Sequence, residues 1–126
     1  LSGKNGLIFS EIWHNNGGAF APLFGGLKME QATDREIGGS HLQGYTTSTF
    51  QNIIDKLGKP HSQGDAYKTD AEWAFKFEDG TVATLYNWKN GKNYCGANGL
   101  NLEDITEWNI GGFSPDAVYK IEEALK

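Results

Sequence analysis

Between Trp88 and Tyr94 the chain reads Trp-Lys-Asn-Gly-Lys-Asn-Tyr, with two aromatic rings bracketing two ammonium groups and two carboxamides. The chemistry open to such a run is non-covalent. A flat ring can stack on Trp88 or Tyr94, an anion can meet Lys89 and Lys92, and Asn90 with the turn amides supplies directed hydrogen bonds. A small nucleotide-like molecule, a flat ring carrying phosphate, suits these groups. Tyr86 alternates with Trp88, and His41, Gln43 and Tyr45 alternate in the same way, so each set shares one side of a strand. Plainer readings stand beside these. Asn90-Gly91 is also a common tight turn whose lysines keep it in water, and the His41 row is equally a set of structural hydrogen bonds.

Nothing comparable points to catalysis. His14, His41 and His61 stand in no close ligand spacing, so no zinc site is expected, and Cys95 has no second cysteine to pair with. Asp65, Asp70 and Glu72 cluster locally, as a solvated loop would, and would hold a divalent cation only weakly. With no nucleophile beside a base and no specific metal set, the expectation is a non-enzymatic protein without a cofactor.

Charge offers a second reading. The net charge is −5, and residues 64–126 hold eleven acidic against six basic groups while 1–63 hold five of each. Glu103, Asp104 and Glu107 lie close together beside Trp108, an acidic and aromatic surface that would dock on a basic partner protein. The single arginine, Arg35, leaves no basic stripe for duplex DNA or RNA. No apolar run approaches a membrane span, and the lone cysteine fits a reducing cytoplasm.

The elements that must position these groups are written in local rules. With 17 glycines, three prolines and 13% aromatic residues among 126, the composition favours a turn-rich, sheet-based single domain. Glu72 to Glu78 and Thr81 to Lys89 alternate around Asp79-Gly80, which predicts a hairpin closed by a two-residue type I′ turn. That turn sets Phe77 opposite Val82, Phe75 opposite Thr84 and Trp73 opposite Tyr86, with Trp88 next on the same face. Phe50, Ile53, Ile54 and Leu57 follow the helical period, Thr46-Thr47-Ser48 offers cap chemistry ahead of them, and Gly58 and Pro60 close the helix. Ser40 to Tyr45 and Thr106 to Ile110 read as strands, the second stopping at Gly111-Gly112. Ser114-Pro115-Asp116 opens a last helix. Gly6 to His14 and Ala19 to Phe24 read as an N-terminal hairpin about Asn15-Asn16-Gly17-Gly18, with Pro22 at an edge. Residues 1–126 thus form one α+β domain, an antiparallel sheet with two helices packed on one face. Residues 1–38 are an N-terminal hairpin or extension, and 39–126 a strand-helix-three-strand-helix core. So many rings in so small a chain also predict a homo-oligomer.

Several of these segments together resemble a known group. Gly39-Ser40-His41-Leu42-Gln43-Gly44-Tyr45, Leu57-Gly58-Lys59-Pro60, Ala71-Glu72-Trp73, Asp79-Gly80-Thr81-Val82-Ala83-Thr84-Leu85-Tyr86-Asn87-Trp88-Lys89 and Glu107-Trp108-Asn109-Ile110-Gly111-Gly112 resemble a family of small accessory proteins of tailed phages and prophages, over roughly Gly39 to Leu125. The resemblance implies a role against host antiviral defence in the cytoplasm of an infected bacterium. On that reading the ligand is a nucleotide-like signal, and the alternative partner is a host defence protein inhibited directly.

Overall fold

A computed structural model describes Ala21–Pro22 and residues 28–126. Among these residues six antiparallel strands, β1 (Ala21–Pro22), β2 (Lys28–Gln31), β3 (His41–Thr47), β4 (Glu72–Phe77), β5 (Val82–Tyr86) and β6 (Glu107–Gly112), lie in the order β1-β2-β4-β5-β6-β3. The helices are α1 (Asp34–Ile37), α2 (Phe50–Leu57), α3 (Lys92–Cys95) and α4 (Asp116–Ala124). This is the expected α+β architecture. Pro22 sits in the edge strand, paired with Lys28, where a missing N–H is tolerated. The rest of the predicted N-terminal hairpin lies outside the described residues. Among the described residues no helix is long and apolar enough to cross a membrane.

One face of the sheet is the core. Met29, Trp73, Phe75, Phe77, Leu85, Trp108 and Ile110 are all buried, and α2 and α4 close over them with Ile53, Leu57, Ala117, Ile121 and Ala124. Both buried indoles are satisfied: Trp73 Nε1 donates to the Gly58 carbonyl at 2.9 Å and Trp108 Nε1 to the Ser48 carbonyl at 2.8 Å. The two indoles meet edge to face at 5.7 Å, and Phe50 packs against both, 6.0 Å from Trp73 and 6.3 Å from Trp108 between ring centroids. Helix α2 spans the predicted residues, but its cap is Thr49, whose hydroxyl accepts from the Asn52 N–H at 3.0 Å. After the turn at Asn90-Gly91, Lys92–Cys95 forms a single helical turn, α3.

The hairpin register differs from the two-residue-turn expectation. Phe77 and Thr81 pair across a three-residue loop: the Phe77 N–H donates to the Thr81 carbonyl at 2.8 Å and the Gly80 N–H to the Phe77 carbonyl at 2.9 Å. Only Gly80 takes a positive φ, 92°, while Asp79 Oδ1 accepts from the Thr81 N–H at 3.0 Å. That is a turn followed by a glycine bulge, not type I′. The slip sets Phe75 opposite Ala83, Trp73 opposite Leu85 and Glu72 opposite Tyr86. Every β5 side chain therefore changes face: Ala83, Leu85 and Asn87 turn into the core, and Thr84, Tyr86 and Trp88 turn to the opposite side.

Strand β6 also runs on through Gly111-Gly112, where the sequence reads as a stop. A Cβ at Gly112 would lie 2.7 Å from the Ala117 Cβ, and one at Gly111 2.5 Å from Thr84 Oγ1. The glycine pair lets α4 approach one face and keeps a hollow on the other.

Candidate functional site

The face opposite α2 and α4 carries Tyr45, Tyr86 and Trp88 of the predicted recognition residues. Strand register lays Tyr45, Asn109, Tyr86 and Glu72 in one row across β3, β6, β5 and β4, with Leu42, Gly111, Thr84 and Ala74 in the next. Helix α1 sits at one side, held by a Lys76–Glu36 ion pair of 3.0 Å. Between the 62–70 loop and the strands lies an open cleft of about 190 Å³, lined by Ser40, His41, Asp65, Thr69, Glu72, Thr84, Tyr86, Trp88 and Gly111.

Trp88 stands at one side of this cleft, 39% exposed, with the Tyr86 ring 6.0 Å away and nearly perpendicular. Two ammonium groups flank its ring, Lys68 Nζ at 5.4 Å and Lys89 Nζ at 5.9 Å from the centroid. Lys89 Nζ also lies 5.4 Å from the Tyr94 centroid, and the Tyr67 ring is 5.2 Å from that of Tyr94. The result is a half-exposed platform of rings studded with cations. At exposed sites each such contact contributes only about 0.5–1 kcal/mol.

The backbone that presents the platform is held from beneath by Asn87. Its side chain is fully buried: Oδ1 accepts from the Asp70 and Ala71 N–H groups at 2.8 and 3.1 Å, and Nδ2 donates to Asp70 Oδ1 at 2.8 Å and Asn90 Oδ1 at 2.9 Å. Asp70 Oδ2 accepts from the Asn93 N–H at 3.1 Å, and Asn93 Nδ2 donates to the Thr69 carbonyl at 2.8 Å. Gly91 is required here, because a Cβ would collide with the Asp70 carboxylate. Lys89 carries a φ of 60°, uncommon for a residue with a side chain, and its N–H donates to the Lys68 carbonyl at 2.8 Å. These bonds strap the two lysine-bearing segments together.

Electrostatics divide the site. Burial, and after it the Asp34 carboxylate, push the Glu72 carboxyl above the usual range. Burial likewise raises the Tyr86 phenol, opposed by a hydrogen bond with Asn109. Glu72 and Asp65 line the cleft, whereas Lys68 and Lys89 stand on the platform beside it.

The predicted residues sort accordingly. Tyr86, Trp88, Lys89 and Tyr94 come together, His41 lines the cleft, and Tyr45 stands exposed at the end of the Tyr86 row. Gln43 Nε2 donates to the Gly112 carbonyl at 3.1 Å, at the bulge in β3, and serves the strand pairing. Asn90 is bound up in the Asn87 network, and Lys92 Nζ reaches the Ala97 carbonyl at 3.4 Å, not the platform. Of the alternative acidic surface, Glu103, Asp104 and Glu107 are exposed, but Trp108 is 1% exposed and belongs to the core. A partner cannot reach it, because an indole alternating with Ile110 on β6 faces the helices. Sequence reading missed Tyr67, Lys68, Thr69 and Thr84. The polar 61–70 loop gives no periodic signal, and Thr84 stood on the wrong face once the hairpin slipped by one residue. Among the described residues no group of three or more His, Cys, Asp or Glu is arranged to hold a metal ion.

No protein-family model matches the chain, and no curated protein matches it.

Proposed function

We propose that this is a non-enzymatic phage accessory protein that counters host antiviral defence by binding and sequestering a small nucleotide-like signal in the cytoplasm of the infected bacterium. The observation that carries the reading is Trp88, half-exposed beside a cleft with Lys68 and Lys89 on its ring. A base stacks on the indole and the displaced ammonium groups meet its phosphate, which together recognise the two halves of a nucleotide. The left-handed Lys89 backbone supports the same reading, since such strain is retained where geometry serves a site. The alternative, direct inhibition of a host defence protein through Glu103, Asp104 and Glu107, loses its aromatic anchor with Trp108 in the core.

The test is native mass spectrometry of the protein after incubation with extract of infected host cells, beside Trp88→Ala. The expected result is a small adduct, released on denaturation and missing from the variant, whose circular dichroism stays native because the ring is partly exposed. A large mass step with no small adduct would move the assignment to a protein partner.

A further inference from the structure

The cleft beside the platform holds polar groups that the fold itself does not use. Thr69 and Thr84 are 1% and 4% exposed, both line the cleft, and neither hydroxyl is hydrogen-bonded to another described residue. The Glu72 carboxyl, in the row with Tyr86, also has no hydrogen-bond donor among the described residues, although its Oε1 lies against Gly64 of the covering loop. Buried polar groups are paired in the great majority of cases, because leaving one unsatisfied carries its full desolvation penalty. A carboxylate and two hydroxyls left open around one hollow, with Tyr86 and Trp88 beside them, make a site built for a ligand.

The ligand's chemistry follows from what each zone accepts. At about 190 Å³ the cleft is smaller than the roughly 300–1,000 Å³ of drug-sized pockets, so it takes one ring system and leaves the remainder outside. Glu72, Asp65 and the nearby Asp34 repel a phosphate from the interior, while Lys68 and Lys89 attract it at the platform. Those lysines equally repel a simple cation or amine. The arrangement suits a ring with hydrogen-bond donors inward and an anionic tail outward. A carboxylate has two acceptor oxygens and complements an edge with two adjacent N–H donors. Among the common bases guanine presents that edge, N1–H beside the exocyclic amine. Adenine and cytosine each set a donor beside an acceptor.

Resting on the nucleotide reading above, we propose that the cleft is a guanine-reading subsite. The Glu72 carboxylate accepts from N1–H and the 2-amine, Thr69 and Thr84 answer the ring's remaining acceptors, and Trp88 with Tyr86 covers its face. Gly111 keeps the floor open, since a side chain there would enter the space beside Thr84 and Tyr86.

Calorimetric titration of the unmodified protein at pH 7.5 with GMP, IMP and AMP tests this, because IMP differs from GMP only by the missing amine. The expected order is GMP tightest, IMP weaker by about tenfold and AMP weaker still, because IMP leaves one carboxylate oxygen without its donor. Glu72→Gln, an isosteric change, is expected to bring the three affinities together while AMP binding stays near its parental value. Equal binding of GMP, IMP and AMP by the parent overturns the guanine assignment and leaves the nucleotide reading in place. So does a Glu72→Gln that weakens all three alike, since Glu72 would then only support the fold. No binding of any of the three overturns this inference. The nucleotide reading itself falls only if the infected-cell extract also yields no small adduct.

Discussion

At the scale of single residues the same chemistry serves opposite ends, and burial decides which. Trp88 and Trp108 look alike in sequence, each on an alternating strand beside polar neighbours. One lies on the open face and the other under α2, and only the strand register separates them. His61 makes the point with a titratable group. Its Nδ1 accepts from the Ala74 N–H at 3.0 Å and its ring lies 4.9 Å from Phe75, and burial brings its pKa down from 6.5 to about 4. The unfolded chain takes up this proton below about pH 6.5, whereas the native state refuses it until about 4. Above pH 6.5 the group is neutral in both states and exacts nothing. As the pH falls from there to about 4, stability is lost, by an amount on the order of 3 kcal/mol. Urea unfolding between pH 7.5 and 4.5 checks this: the parent midpoint should fall, and that of His61→Gln should start lower at pH 7.5 but slope less. Asp79, held down to about 2 chiefly by the Thr81 N–H and then by Lys120, acts in a separate window below pH 3.8, so the two effects do not overlap.

At the scale of elements, the predicted strands and helices largely formed where their periods said. Helix α2 was legible because four apolar residues, a following glycine and a proline all agree. The β4–β5 hairpin was legible as a hairpin but not in its register, because Asp79-Gly80 fits both a two-residue turn and the second half of a three-residue loop. What decided between them is outside the turn: Leu85 and Asn87 have places in the core, and Asp79 pairs with Lys120 of α4 at 2.9 Å. That single slip is why Thr84 was missed, and it places Tyr86 and Trp88 on the face of Glu72 and Tyr45 and away from Trp73. The bulge depends on Gly80 alone for its left-handed conformation, and nothing lies within 4 Å of where its Cβ would stand. Gly80→Ala should therefore destabilise through backbone strain only, by about 1 kcal/mol. Asp79→Gly, which relieves no strain, should also weaken the hairpin by removing the Thr81 and Lys120 contacts. Were the turn type I′, alanine at Gly80 and glycine at Asp79 would act in opposite directions. Chemical denaturation of the two variants distinguishes the cases.

At the scale of the whole molecule, the sheet is protected unevenly. Among the described residues the β1 edge comprises two residues and carries Pro22, whereas β3 presents seven residues at the other edge. Around that open edge Leu42, Tyr45 and Phe113 are 44%, 64% and 51% exposed. Long edges with apolar side chains are where chains pair with copies of themselves. The proposed sequestration gives the same argument a functional side. A protein that does not turn over its ligand must bind it below the level at which the signal acts, and nanomolar binding requires about 12 kcal/mol. A cleft of about 190 Å³ that covers a single ring contributes only part of that. A second copy lying along β3, beside the Tyr45 end of the row that runs to Glu72, would enclose the part of a nucleotide left outside. The prediction is a solution mass of at least twice the 13.9 kDa chain by sedimentation equilibrium, reduced to one chain in the double variant Leu42→Lys, Tyr45→Glu. That variant should keep its native circular dichroism, since neither side chain is buried, and should bind small nucleotides more weakly than the parent. A monomeric parent would place the whole burden of affinity on the platform and cleft of one chain. In that case Trp88→Ala and Lys89→Ala together should abolish binding altogether.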